Sequence, residues 1–169
     1  MTTARPLPLL VFALLLAAAC VPHPSPRTPR PPQTPRWEPR TPYALLHHRA
    51  PETSWEPWSE ISADFDGDGV PDFALRGVYK DRVIVGIVQG PLRSDSRTWR
   101  LEFPWGKGTE DSLCSRRAKI AVEEVDAPRH TAGRQQGRHA KGIDLYDDRC
   151  DSFHIYWSPE EGKFDWWRL

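Results

Sequence analysis

Four aspartates stand at Asp64, Asp66, Asp68 and Asp72, the first, third, fifth and ninth places of one short segment. Carboxylates this close repel one another, and a divalent cation supplies the counter-charge that lets them converge. Calcium takes six to eight oxygens at about 2.3–2.6 Å, and alternate residues of a tightly curling loop can deliver them. Gly69 occupies the sixth place, where such a loop must turn through a conformation costly for a residue with a Cβ atom. The carbonyl of Val70, at the seventh place, adds a backbone oxygen. The expected ligand set is therefore Asp64, Asp66, Asp68, Val70 and Asp72, with Ca2+ as the ion. A turn of solvated aspartates holding no metal is the competing reading.

Catalytic chemistry has thinner support. Acid pairs occur at Glu123-Glu124 and Asp147-Asp148, and the chain has six histidines. None of these residues sits in a nucleophile elbow, an H-E-x-x-H helix or a phosphate loop. A calcium ion whose coordination is filled by protein offers no open Lewis-acid position. The expected class is a non-catalytic binding or structural module. The alternative is a periplasmic hydrolase whose site is assembled only in the fold.

The elements that must position the loop read as strands. Short alternating, β-branched or aromatic runs punctuated by glycine and proline place them at 58–63, 73–79, 82–89, 97–103, 118–125, 142–146, 152–157 and 163–168. The run from Arg82 is apolar on both faces, which marks a central strand. Residues 50–61 allow one short helix, with Trp55 and Trp58 three apart. Residues 128–141 hold Arg129, His130, Arg134, Arg138, His139 and Lys141 with no large apolar residue among them, and read as a solvated loop. Eight tryptophans serve a small core more readily than they serve sugar binding, although exposed aromatic pairs do bind sugars. The expected fold is mainly β: a compact single domain of about seven or eight antiparallel strands, with a blade-like hairpin around the loop.

The segment D-F-D-G-D-G-V-P-D resembles the FG-GAP, or integrin-alpha-type, calcium loop, whose pattern is D-x-D-G-D-G-x-x-D. The likeness runs over about 25 residues, up to Tyr79. It implies that Asp64, Asp66, Asp68 and Asp72 are side-chain ligands between two strands. Only one such loop occurs, whereas a propeller needs several blades, so a single domain is expected. An EF-hand is excluded by Leu75, which stands where that motif needs a bidentate Glu. The ending, with Phe153 to Trp157 and then Gly162-Lys163-Phe164, is similar to the terminal hairpin of small lipoproteins that carry one such loop.

The N-terminus sets the compartment. Arg5 precedes an apolar run of 13 residues from Leu7 to Ala19, a length suited to a signal peptide and too short to span a bilayer. The run ends Leu16-Ala17-Ala18-Ala19-Cys20, which resembles the lipobox of bacterial lipoproteins. That implies cleavage before Cys20 and acylation of its thiol, the competing reading being an ordinary secretory signal cut after Ala19. Several acyl chains hold a membrane stably, at about 0.8 kcal/mol per buried methylene. Val21, rather than Asp, after the cysteine favours the outer membrane. The expected setting is the cell envelope, lipid-anchored, with an envelope protein or a surface glycan as partner.

From Val21 to Pro42, nine of 22 residues are proline, with arginines between them. Such a stretch builds neither helix nor sheet and buries little, so it reads as a disordered tether of at most roughly 70 Å. The expected divisions are a signal peptide at 1–19, the lipidated cysteine and tether at 20–42, and a β domain at 43–169. Without the signal peptide the chain has 22 basic and 23 acidic residues, which gives no reason to invoke nucleic acid. With Cys20 lipidated, Cys114 and Cys150 are the two thiols left. In an oxidising compartment they are expected to pair, the alternative being two buried free thiols.

Overall fold

A computed structural model describes residues 37–106, 108, 111–125 and 141–168. The expected signal peptide, Cys20, most of the proline-rich stretch and residues 128–140 of the expected basic loop lie outside the described residues. Among the described residues, nine strands form two antiparallel sheets, with one short helix beside them. No helix among the described residues is long and apolar enough to cross a membrane.

The first sheet contains β1 (Ser54–Trp55), β2 (Ile61–Ala63), β3 (Asp72–Tyr79), β4 (Arg82–Val88) and β5 (Thr98–Pro104). Its order is β1-β3-β4-β5, and β2 shares with β1 the outer side of β3. Between β1 and β2 a 3-10 turn at Pro57–Ser59 interrupts the edge. The middle of β3 is still satisfied there: Arg76 N–H donates to Ser59 Oγ at 2.9 Å, and Glu56 N–H donates to the Arg76 carbonyl at 2.9 Å. The second sheet is a meander of β6 (Lys119–Glu124), β7 (Lys141–Tyr146), β8 (Phe153–Ser158) and β9 (Lys163–Arg168).

Strand β4 is buried on both faces, as its sequence implies. Val83, Val85 and Ile87 pack with Ile143, Leu145, Phe153 and Ile155 of the second sheet in one core. Aromatic edges tighten that core: Phe103 lies 4.9 Å from Phe153, and Trp99 meets Trp157 and Phe164 edge-on at 5.4 and 5.1 Å. Such contacts contribute about 0.5–1.5 kcal/mol each beyond area burial. On its other face β4 offers Ile84 and Val88, which pack with Leu75, Trp55 and the helix residues Leu45 and Leu46. Gly86 is required here. A Cβ on it would fall 2.6 Å from the Trp55 ring and 2.9 Å from Leu46 Cδ1.

The sequence reading needs three corrections. The helix is α1, Pro42–Arg49, not a segment within 50–61. Thr41 Oγ1 accepts from Ala44 N–H at 3.1 Å, and Pro42 takes a first-turn place where its missing N–H costs nothing. Pro57 could not lie inside a helix running through 50–61 and instead opens a single 3-10 turn at Pro57–Ser59, so the strand expected from Trp58 begins only at Ile61. Trp55 is core, but Trp58 is 81% exposed. Finally, contacts of the domain begin before Tyr43. Trp37 stacks on His48, Glu38 accepts from Ser94 N–H at 3.2 Å, and Pro39 and Pro42 are buried. A proline-rich composition hides this, because packing against a helix needs neither N–H groups nor regular structure.

Candidate functional site

Strands β2 and β3 pair antiparallel with Ala63 opposite Asp72, so residues 64–71 must reverse the chain within one loop. Gly67 and Gly69 make the reversal at φ of 77° and 86°, in the left-handed region that favours glycine. Phe65 points inward and is buried in the core, which pins the loop between its first two aspartates.

Asp72 is the hub of the loop and is 1% exposed. Its Oδ2 accepts from Phe65 and Asp66 N–H at 3.0 and 3.2 Å, and its Oδ1 accepts from Gly90 N–H at 2.9 Å. Asp64 accepts from Gly67 and Gly69 N–H at 2.8 and 2.9 Å. Asp66 accepts from Asp68 N–H at 3.1 Å and from Gln89 Nε2 at 2.7 Å. One carboxylate oxygen from each of Asp64, Asp66 and Asp72 lies within 4.8 Å of the others.

The electrostatics show what this convergence costs. Burial pushes the Asp72 carboxyl up to about 6, with Asp66 adding repulsion, although three backbone N–H groups pull the other way. Burial also raises Asp66, with repulsion from Asp68 and Asp64 adding to it. Two carboxylates whose charge is opposed by their surroundings, with the Asp64 carboxylate beside them, form a donor set suited to a hard, oxygen-seeking cation.

One expected side-chain ligand stands outside the converging three. Asp68 is exposed and lies outside the converging three, its Oδ1 accepting from Val70 N–H at 2.7 Å. Val70 enters the hydrogen-bonding pattern through that N–H. Sequence reasoning missed Gln89 and Gly90, which follow β4 and reach the loop only through the β3–β4 register. No local motif marks them.

At another place a second aspartate does similar work. Cys114 and Cys150 are joined, with Cα atoms 6.0 Å apart. Beside them Asp147, also buried, accepts from Ser115, Arg149 and Cys150 N–H at 2.7, 3.0 and 3.0 Å. The sequence offered Asp147 only as one of an acid pair.

Two further features emerge only in the fold. On the second sheet, Glu123, Asp144 and His154 come together, and Trp167 stacks on the His154 ring at 4.0 Å. Burial raises the Glu123 carboxyl, opposed by its hydrogen bond to His154. Between the two sheets lies a cleft of about 490 Å³, lined by Trp58, Arg76, Arg116, Arg117, Lys119 and Tyr146 among others. Arg76 is ion-paired with Glu56, and Lys119 with Asp148. Neither guanidinium of Arg116 or Arg117 has an acidic partner among the described residues. No protein-family model, curated protein or solved structure matches this chain.

Proposed function

We propose that this protein is a lipid-anchored module of a bacterial envelope, stabilised by calcium and built to bind rather than to catalyse. The observation that carries the reading is the convergence of Asp64, Asp66 and Asp72 around the buried hub of one loop. A cation there offsets the mutual repulsion and the burial of charge, and the oxygen-only donor set favours calcium. The resemblance of the loop to the FG-GAP pattern supports the same ion. The signal-like leader ending in Cys20 supports the anchor, through an acylated thiol at that residue.

The binding surface on this reading is the cleft of Trp58, Arg116 and Arg117. An exposed indole offers a face for a sugar ring, and two guanidinium groups offer paired donors for carboxylate or phosphate. An anionic surface glycan fits that lining. Strand β3 links the two places, with Asp72 in the loop and Arg76 in the cleft four residues on, about 13 Å along the strand.

Thermal unfolding tests the calcium brace. With a dissociation constant of about 10⁻⁴ M, 1 mM calcium adds about 1.4 kcal/mol by mass action. The melting temperature then rises by several degrees, at about 3–6 °C per kcal/mol for a domain of this size. Magnesium, which demands a smaller octahedral cage, gives a much smaller rise. Equal melting temperatures with calcium and with chelator would overturn the reading.

A further inference from the structure

The geometry points to a second metal site, on the outer face of the second sheet, in which Glu123, Asp144 and His154 hold a divalent transition ion of the zinc class. It is independent of the calcium loop, shares no residue with it and has different donor chemistry.

The outer face is defined by register. Ile120, Ile143, Leu145, Phe153 and Ile155 fill the core, so the alternate positions Ala121, Glu123, Asp144, His154 and Trp167 lie on the opposite side. Asp144 stands between Ala121 and His154 in neighbouring strands, and His154 stands opposite Trp167. Glu123 pairs with Gly142, which presents no side chain. Its carboxylate reaches across β7 to His154, with Oε2 2.8 Å from Nδ1. A Cβ on Gly142 would lie 2.2 Å from Val125 Cγ2 and 2.7 Å from the Ile155 carbonyl. Glycine is therefore needed at 142, because Val125 and the Ile155 carbonyl fill the space a side chain there would take.

Hydrogen bonding within the sheet leaves this cluster unfinished. Glu123 Oε1 and Asp144 Oδ1 are both buried and have no hydrogen-bond partner among the described residues. Buried acceptors are normally satisfied, and a buried carboxylate oxygen still more so. One donor atom from each of the three residues lies within 4.8 Å of the others. Metal bonds of about 2.0–2.2 Å hold donor atoms roughly 3–4 Å apart, so closure onto one ion needs only small side-chain adjustments. The Trp167 ring lies parallel to the imidazole within 20° and fixes its plane. All three ligands stand on paired strands.

The donor set selects the ion. Calcium and magnesium prefer oxygen alone, whereas imidazole with carboxylates suits zinc and its first-row neighbours. Three protein ligands fill three places of a tetrahedral ion and leave the fourth for water or a small anion, the arrangement of an open rather than a purely structural zinc site.

Titration calorimetry of the full-length protein with zinc chloride tests the site, with cobalt(II) absorption as a second readout. We expect one zinc ion per chain, unaffected by several millimolar calcium and retained in Asp66→Asn. Cobalt(II) should give visible bands that zinc abolishes. His154→Ala should weaken zinc binding by more than the roughly 10–100-fold that loss of an outer-shell partner costs. Glu123→Gln and Asp144→Asn keep the side-chain shape, so they serve if the alanine variant fails to fold, and each should weaken binding while leaving the calcium response intact. Absence of zinc binding at hundreds of micromolar overturns the proposal. So does zinc binding that all three substitutions leave unchanged, which would place the ion elsewhere, for instance at the exposed His47 and His48.

Discussion

Two buried aspartates organise two different loops by one device, and the difference lies in what stands beside them. Asp72 and Asp147 each accept three backbone N–H groups, drawing distant pieces of chain onto one carboxylate. Around Asp147 the arrangement is completed covalently by Cys114 and Cys150. Around Asp72 there is no covalent tie, and the neighbours are two more carboxylates, Asp64 and Asp66. A carboxylate that satisfies backbone groups is an ordinary structural element. Three converging on one point form an electrostatic demand, and that surplus separates a candidate ion site from a polar turn.

The largest effects should come from removing either hub. Asp72→Ala and Asp147→Ala each strand three amides, and at about 1–3 kcal/mol per buried unsatisfied group the loss should reach about 3 kcal/mol or more. Urea denaturation without calcium measures both. A loss below about 1 kcal/mol at either position would show that water replaces the carboxylate and that the two hubs are not equivalent.

Reduction of the disulfide comes next. Cys114 and Cys150 are 36 residues apart in sequence, and a bridge of that span stabilises by about 2–4 kcal/mol. The midpoint should fall accordingly, while the calcium-induced thermal shift persists. Loss of the calcium response on reduction would mean that the two ends are coupled, and the contrast between them would fail.

Smaller effects separate the roles within the acidic loop. Gln89→Ala removes the 2.7 Å donor to Asp66 and should cost about 1.5 kcal/mol in chelator, since the bond is to a charged acceptor. An unchanged unfolding midpoint would show that Gln89 does not brace the loop. Smallest of all, Asp68→Asn should reduce calcium affinity less than Asp66→Asn, because Asp68 lies outside the converging three. Titrations of the two variants settle the order, and the reverse order would restore the full alternate-residue ligand set that the sequence suggests.

Legibility followed sequence distance. Asp64, Asp66 and Asp72 lie within one loop, so spacing alone brought them together, and only the exposure of Asp68 departed from the pattern. The strands from Asp72 onward were legible because glycine, proline and alternation mark their ends and faces. Gln89, Gly90 and the Asp147 hub were not, since each acts across a register that no local pattern fixes. Glu123, Asp144 and His154 stand on three different strands, β6, β7 and β8, and their meeting depends on a pairing read only from the fold. The helix was missed for another reason. Pro42 begins it but also closes a proline-rich stretch, and composition outweighed the Thr41 cap.

Everything proposed for the acidic loop depends on whether Asp64, Asp66 and Asp72 together hold one calcium ion. Isothermal titration of calcium into chelator-stripped full-length protein tests it most directly, with Asp66→Asn as the matched control. The expected result is one ion per chain with a dissociation constant of about 10⁻⁴ M or tighter, and no such binding in the variant. No heat of binding in the folded wild-type protein at several millimolar calcium, or equal binding in the variant, would contradict it.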